Sequence, residues 1–467
     1  MSDATLSNPA AVQTKPRRAP GPKGTLIWGN LADRRKRPLD LYLGSMLTYG
    51  DVVRFRMGPF TVQLVSDSEL VKQILQDRVT RYPKGRMYEV LEPVLGKGLL
   101  TNDGESWRQQ RKLAQPAFHR QRLIGFANTM VQETQKMLDG WSSAARSGQS
   151  FDVAQEMMHL TLSIVGLTLF SRDVSGDSNE VGGAVTRTIQ VANARLLSRF
   201  PKWYDWPTPV RARFNRDKAT LDRVVFEMIE ARRKDPADHG DLLSMFMATH
   251  DEETGATMTN EQIRDEVMTI FLAGHETTAN TLAWTWALLS QHPDVARKLR
   301  AELAQVLGTR APTFEDVPKL KYAERVIQES MRLYPPAWII AREAKEDDNL
   351  GGFEVPKGSF VVVAPYVLHR SPKYWKNPEG FDPDRFDAEK NPDIATRPKY
   401  AYMPFSGGPR VCIGNAFAMM EAVLILATVA QRFELNLIPG AKIVPEPLIT
   451  LRPQYGVPVT LAEVERA

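Results

Sequence analysis

The 467-residue chain contains one cysteine, Cys412. No disulfide can form within it, and a reducing, cytoplasmic setting is the expectation. The opening stretch, Met1 to Gly24, has no apolar run like a signal peptide's and nothing near the ~20 apolar residues of a membrane span. It is polar, Pro-rich and basic, so residues 1–23 read as a flexible tail and no integral membrane anchor is expected. Dense Lys/Arg tracts are also missing, as are basic patches interleaved with aromatics. A net charge of +5 without such tracts argues against nucleic acid as a partner. None of the seven histidines stands three or four residues from another, so a helical His-pair metal site has no support. His275-Glu276 begins like a zinc-protease HExxH motif, but Ala279 replaces the second ligand. There is no Cys-x-x-Cys-His for covalent haem attachment. No internal repeat or long low-complexity linker divides the chain. One domain over 24–467 is expected, although length alone would allow about two to four.

A hydrophobic fraction of 43% with 25% charged residues is an ordinary globular balance at a length that buries a large core. The patterns are mainly α with minor β. Asp51 to Arg56 and Thr61 to Ser66 read as a hairpin turning at Gly58-Pro59. Helical periodicity dominates from there to about residue 335, with polar breaks expected at Gly140–Gln149 and Val174–Gly183. The longest helix runs from Glu261 to about Ser290, opened by a Thr259/Gln262 capping box and closed by His292-Pro293. Roughly 30 helical residues span about 45 Å, enough to cross a whole globule. A second helix over Leu320–Leu333 stops at Pro335-Pro336. Extended pieces follow at Phe353–Val355 and Phe360–Ala364, then a last helix over Asn415–Arg432 and short strands within Ile443–Leu461.

Four segments carry chemistry. Around Cys412, the run Phe405 to Gly414 holds Gly407, Gly408 and Gly414, which permit close backbone approach to a flat cofactor and positive φ where needed. A helix starting just after Cys412 would stabilise a thiolate through its free N–H groups and positive end. The bland reading of such a cysteine is a small buried core residue. In the long helix, Ala273-Gly274-His275-Glu276-Thr277-Thr278 puts Ala273 and Thr277 on one face. Gly274 removes bulk there, and Thr277 can hydrogen-bond the carbonyl four residues back and open the helix locally. The competing reading is a packing notch beside a solvated Glu. Glu329 and Arg332, three apart on one face, read by spacing alone as a surface ion pair. Trp107 and Arg111 share a further helix with Arg108 and Lys112, which read as solvated.

The Cys412 segment resembles the haem-binding signature of the cytochrome P450 family, Phe-x-x-Gly-x-Arg-x-Cys-x-Gly, at every fixed position. Ala273 to Thr277 is similar to the family's oxygen-activation pattern. Glu329 and Arg332 are similar to its Glu-x-x-Arg pair, completed by Arg385 in Pro383-Asp384-Arg385-Phe386. Trp107 to Arg111 is similar to its Trp-x-x-x-Arg helix. The resemblance extends from about Gly24 to Val459. It implies the family's fold: a triangular helix-rich prism with a long central helix over the haem and a small β-rich lobe. It implies haem b (iron protoporphyrin IX) with Cys412 as the iron ligand. Thiolate ligation pushes electron density onto iron and favours O–O cleavage. Ala273, Gly274, Phe405, Gly408 and Gly414 would lie against the cofactor. Trp107, Arg111, Arg342 and Arg410 would meet its propionates through planar donor forks. Glu276 and Thr277 would deliver protons during dioxygen activation, and Glu329, Arg332 and Arg385 would hold the loop presenting Cys412.

Family position assigns the substrate pocket to Met87 and Leu91 within Met87–Leu95, to Phe271 and Ala273, to Ala337 and Ile339 within Ala337–Ile340, and to Leu448 within Leu448–Thr450. A fatty acid, terpenoid, steroid or polyketide suits so apolar a wall, with hydroxylation or epoxidation as the outcome. Phe200, Pro201, Trp203, Tyr204 and Trp206 form an aromatic cluster in the lid region, read as an entry gate or a packed loop, with packing preferred because aromatic side chains dominate core energetics. With no fused redox module, electrons would come from NAD(P)H through a reductase and a ferredoxin or flavodoxin. A monomer is expected. A peroxide-driven peroxygenase or a haem-thiolate isomerase would bypass dioxygen and need no Glu-Thr pair. A non-catalytic haem sensor or ligand carrier is a more distant class.

Overall fold

The computed structural model describes residues 16–173, 178–196, 198, 201–235, 237–248 and 257–464. A four-stranded sheet gathers two distant parts of the chain. Strands β1 (Val52–Met57) and β2 (Phe60–Val65) form the expected hairpin. Strand β3 (Ile340–Glu343) is the far edge, and β4 (Phe360–Val363) joins the two halves, parallel to β2 and antiparallel to β3. Buried Val and Phe on β1, β2 and β4 pack this sheet on the cluster around Tyr42 and Trp338.

The helical body contains α1 (Gly104–Ala114), α2 (Arg120–Ser147), α3 (Val153–Phe170), α4 (Ser178–Leu196) and α5 (Pro209–Lys234). It continues through α6 (Asn260–Gln291), α7 (Lys321–Leu333) and α8 (Asn415–Ala430). A short hairpin of β5 (Pro445–Pro447) and β6 (Leu451–Pro453) lies against α6. Helix α6 is the longest described element, and apolar side chains are buried on every side of it, the mark of a core helix. Its start is the expected capping box: Gln262 N–H donates to Thr259 Oγ at 3.2 Å, and Thr259 N–H donates to Gln262 Oε1 at 2.8 Å. Its end is sealed where the His292 ring meets Leu288 O at 2.8 Å, one residue before Pro293.

Helix α3 is long and apolar enough to cross a membrane by length and composition, and 67% of it is buried inside the fold. It packs on α6 at Gly274, where an added Cβ would lie 3.1 Å from Val165 Cγ2. Gly274 is therefore a helix-packing notch as well as part of the site.

Three boundaries differ from the sequence expectation. Helix α2 runs through Gly140 to Ser147, because Leu138 and Trp141 on either side are buried. One helical glycine costs only ~1 kcal/mol; the stop comes at Gly148, with φ +65°. The break expected over Val174–Gly183 is shorter, since α4 begins at Ser178 with Val181, Ala184 and Val185 forming its buried stripe; residues 174–177 lie outside the described set. Part of the expected tail is packed: Arg17 N–H donates to Gly352 O at 3.0 Å, and Arg54 N–H to Pro20 O at 2.7 Å. Residues 1–15 lie outside the described set.

Candidate active site

Between α6 and the segment that precedes α8 lies a cavity of about 430 Å³. Its two faces are built from segments far apart in the sequence. One face is the middle of α6, with Thr269, Ala273, Gly274, Glu276 and Thr277; the other is Phe405, Val411, Cys412, Ile413 and Gly414. The α6 residues fall at the spacing that returns a helix to the same side. Phe271 shows the converse. Two residues before Ala273, it lies about 200° around the helix and packs on Phe170 of α3 at a ring distance of 6.1 Å. It is a core residue, 1% exposed, and not a wall of the cavity.

The cysteine loop is shaped by backbone. Cys412 N–H donates to Phe405 O at 2.9 Å and Val411 N–H to Gly408 O at 3.1 Å. Gly408 has φ +68°, and a Cβ there would sit 2.0 Å from Leu75 O. A Cβ on Gly407 would strike the Tyr400 ring. These two glycines make room for protein, so Gly408 supports the loop from behind rather than lining the cavity. The Cys412 side chain is accessible, but onto the cavity. Burial within the protein pushes its thiol up, opposed by Gly414 and by the nearby Arg111 guanidinium.

The loop's support is a fully buried knot. Glu329 and Arg332 are both 0% exposed and meet through two contacts of 2.7 and 2.8 Å. Arg385 Nε and Asp382 N–H also donate to Glu329, at 3.1 and 3.0 Å. Arg332 donates to the carbonyls of His369, Pro378 and Gly380 at 2.9, 2.6 and 2.9 Å. The tie to the cysteine loop is His369, whose Nε2 accepts from Met403 N–H at 2.9 Å. Burial lowers the His369 ring to about 3, so it stays the neutral acceptor this bond requires.

Facing the cavity, Thr277 Oγ donates to Ala273 O at 2.9 Å, and α6 continues unbroken around it. Glu276 is 7% exposed; burial pushes its carboxyl up, while Thr450, which donates to Oε1 at 2.6 Å, opposes the shift. Leu91, Ala337 and Ile339 line the cavity, whereas Met87 and Leu448 line an adjoining chamber of about 110 Å³ that shares Leu91 and Ile339 as its wall. Trp203 and Trp206 are 61% and 63% exposed, so the aromatic cluster is not the packed loop expected; Phe200 lies outside the described residues.

A profile of the family described as Cytochrome P450 matches residues 19–457. The chain belongs to the cytochrome P450 family. It is similar to cyclooctatin synthase of Streptomyces melanosporofaciens, 38% identical over 449 residues that cover 96% of each protein. The cyclooctat-9-en-7-ol 5-monooxygenase of the same organism is 35% identical over 407 residues, 87% of this chain and 86% of the relative. LUTEIN DEFICIENT 5 of Arabidopsis thaliana, described as chloroplastic, is 33% identical over 419 residues, 85% and 69% of the two proteins. The chain is thus a cytochrome P450 monooxygenase, a haem-iron oxidoreductase with the helix-rich fold of that family.

A P450 haem carries an iron, a flat apolar macrocycle and two propionates, and the cavity has a counterpart for each. Cys412 is the thiol, while Phe405, Ile413 and Phe417 form an apolar floor. At one edge stand Lys84, Arg111, Arg342 and Arg410 with Trp107. Arg410 contacts Asp103, yet its Nε and that of Arg342 are buried without a partner among the described residues. Arg342 and Arg410 both oppose the charge on Lys84, which burial lowers to about 7. Mutually repelling buried cations with orphaned donors call for an anion, and propionates supply two. Lys84 escaped the sequence reading, because a lone loop lysine carries no motif.

Proposed function

We propose that this P450 inserts oxygen into an apolar terpenoid-type substrate, by hydroxylation or epoxidation. Haem b would be held without covalent attachment, and NAD(P)H would supply electrons through a separate reductase and a ferredoxin or flavodoxin. The observation that carries the reading is that Cys412 and the Ala273–Thr277 face of α6 open onto one cavity. When bound, the haem supplies the iron at which dioxygen is reduced. The protein does the rest. Cys412 would hold the iron through its thiolate. Arg111, Arg342 and Arg410, with Lys84, would hold the propionates, and Trp107 packs against three of these cations with ring distances of 5.7 to 5.8 Å. Ala273 and Gly274 would leave room for the haem along the α6 wall of the cavity. Thr277 presents a hydroxyl to the cavity, and Glu276 beside it is the acid that renews the proton. Glu329, Arg332 and Arg385 fix the cysteine loop.

The apolar walls at Leu91, Leu99, Leu100, Ala337 and Ile339 suit a fatty acid, terpenoid, steroid or polyketide alike, and the name of a relative favours the terpenoid. One relative is named for a cyclic unsaturated alcohol, cyclooctat-9-en-7-ol. The protein acts as a cytoplasmic monomer with one domain over 24–467. A spectral binding screen over the four compound classes, followed by turnover with NAD(P)H, reductase and ferredoxin, tests the proposal. Terpenoids should give the tightest response and an oxygenated product. Product formed only with added hydrogen peroxide would instead make the enzyme a peroxygenase.

A further inference from the structure

Thr450 lies 174 residues beyond Glu276, on the turn between β5 and β6, yet its hydroxyl touches that carboxylate. The contact is not incidental to a mobile turn. Leu448 N–H donates to Thr450 O at 3.1 Å and Leu451 N–H to Pro336 O at 3.0 Å. Trp284 of α6 donates to Leu451 O at 3.1 Å, and Arg452 pairs with Glu446 at 2.8 Å. The turn is tied to α6 through Trp284 and to the Pro336 segment through Leu451. Asn280, one turn after Glu276 on the same face, directs Nδ2 to Thr450 Oγ at 3.3 Å. Asn280, Thr450 and Glu276 are 3%, 8% and 7% exposed, so bulk water does not compete for these groups.

We propose that Asn280 and Thr450 form a directed hydrogen-bond chain that parks the Glu276 carboxyl and sets how readily it releases its proton, which makes Thr450 a positioning residue for proton delivery. This rests on the reading of Glu276 as the proton-delivering acid. The direction follows from counting donors. A threonine hydroxyl has one hydrogen. Asn280 fills one of the two lone pairs on Oγ, and Oγ gives that hydrogen to Glu276 Oε1. A hydroxyl that donates favours the ionised carboxyl over the neutral one. Burial acts the other way and favours the protonated form. The charged side chain acting on Glu276 is Arg452 of β6, itself held by Glu446 of β5. Its neighbours on α6, Asn280 and Thr277, are neutral. Thr277 bonds to Ala273 O and Glu276 to Thr450. Acid and alcohol are therefore held apart, and delivery requires the carboxyl to turn from Thr450 toward Thr277. After it gives up its proton, the return to Thr450 stabilises the anion.

The test uses the haem-loaded enzyme with Thr450→Val, Thr450→Ser and Glu276→Gln. Thr450→Val should keep haem content and melting temperature. Its product formed per NAD(P)H should fall, and the pH profile of coupled turnover should move up by about one unit, the effect of losing one hydrogen bond to a charged group. Thr450→Ser should restore both. The infrared C=O band of protonated Glu276, identified by its loss in Glu276→Gln, should move to higher frequency in Thr450→Val. A Thr450→Val enzyme with the parent's coupling, pH profile and infrared band overturns the proposal. The two readings fail differently. If Glu276→Gln stays coupled while Thr450→Val shifts the band, the chain stands and Glu276 is not the acid. If Glu276→Gln uncouples while Thr450→Val changes nothing, the acid stands and the chain falls.

Discussion

Glu329 and Glu276 are both glutamates buried in the core helices, yet their surroundings are opposite. Glu329 accepts from two guanidinium groups and a backbone N–H. Glu276 accepts from one threonine hydroxyl, and burial pushes its carboxyl up. A buried carboxylate engaged by two cations and a backbone N–H is fixed in charge and place, and everything bonded to those cations is fixed with it. One with a single neutral donor keeps a proton it can exchange and a side chain it can turn. The same residue type therefore anchors the cysteine loop in one place and serves chemistry in the other. Glu421 on α8 goes further still: it is 0% exposed, and a weak pull from Thr278 is what opposes its burial.

The largest effect expected from this comparison is at the anchor. Glu329→Ala leaves two buried guanidinium groups without their carboxylate, a loss of about 3–5 kcal/mol and comparable with the whole margin of many domains. Little folded, haem-loaded protein should be recovered. Normal haem content and an unchanged melting temperature would erase the distinction between the two glutamates.

At the exchangeable site the fold should survive and the chemistry should not. Thr277→Ala keeps helix propensity high. Oxygen and NAD(P)H consumption should continue while product falls and hydrogen peroxide rises. Thr278, about 100° further around the helix, should matter less to coupling. Full coupling in both alanine variants would remove the acid–alcohol relay.

Glu421 sharpens the comparison through pH. Burial raises its carboxyl from the ordinary 4.5 to about 8, against a weaker pull from Thr278. The folded state binds this proton more tightly than the unfolded chain does. Its contribution to stability is full below about 4.5 and is lost as pH rises toward 8. Glu421→Gln should therefore flatten the decline in melting temperature over that window. A variant whose melting temperature falls with pH as steeply as the parent's would place the titrating group elsewhere.

The smallest effect belongs to exposed charge. Arg108 pairs with Glu105 at 2.8 Å with both side chains more than half exposed, a pair worth little to stability. Reversing the charges of Arg108 and Lys112 should leave melting unchanged. It should slow reduction by an acidic ferredoxin, most at low salt, since screening acts over about 10 Å at 0.1 M. An unchanged rate and salt dependence would move the docking face away from α1.

These differences were legible in the sequence to unequal degrees. Helix α6 could be read directly, because its capping box and its His292-Pro293 stop are local chemistry. The ten residues ending at Gly414 could be read because the pattern is long and surrounds the only cysteine. Glu329 could not be read from spacing, since an ion pair three residues apart looks the same on a wet surface as in a core. Only the family resemblance marked it as buried. Thr450 entered only as the end of a stretch assigned to the substrate pocket, and Lys84 carried no signal; each matters for what lies beside it in space, 174 residues away in the case of Thr450 and Glu276. Phe271 was misplaced although its helix was right, because two residues along a helix turn a side chain to the opposite face. Gly407 and Gly408 were read as making room for a cofactor; that they make room for Tyr400 and Leu75 instead depends on tertiary packing.

The claim on which the account turns is that Cys412 is the thiolate on the haem iron. The reduced carbon monoxide spectrum of the purified enzyme, parent against Cys412→Ser, tests it most directly. The parent should show the red-shifted Soret band of thiolate ligation, and Cys412→Ser should lose it. A Cys412→Ser protein that kept that band, or a parent that never showed it, would contradict the account.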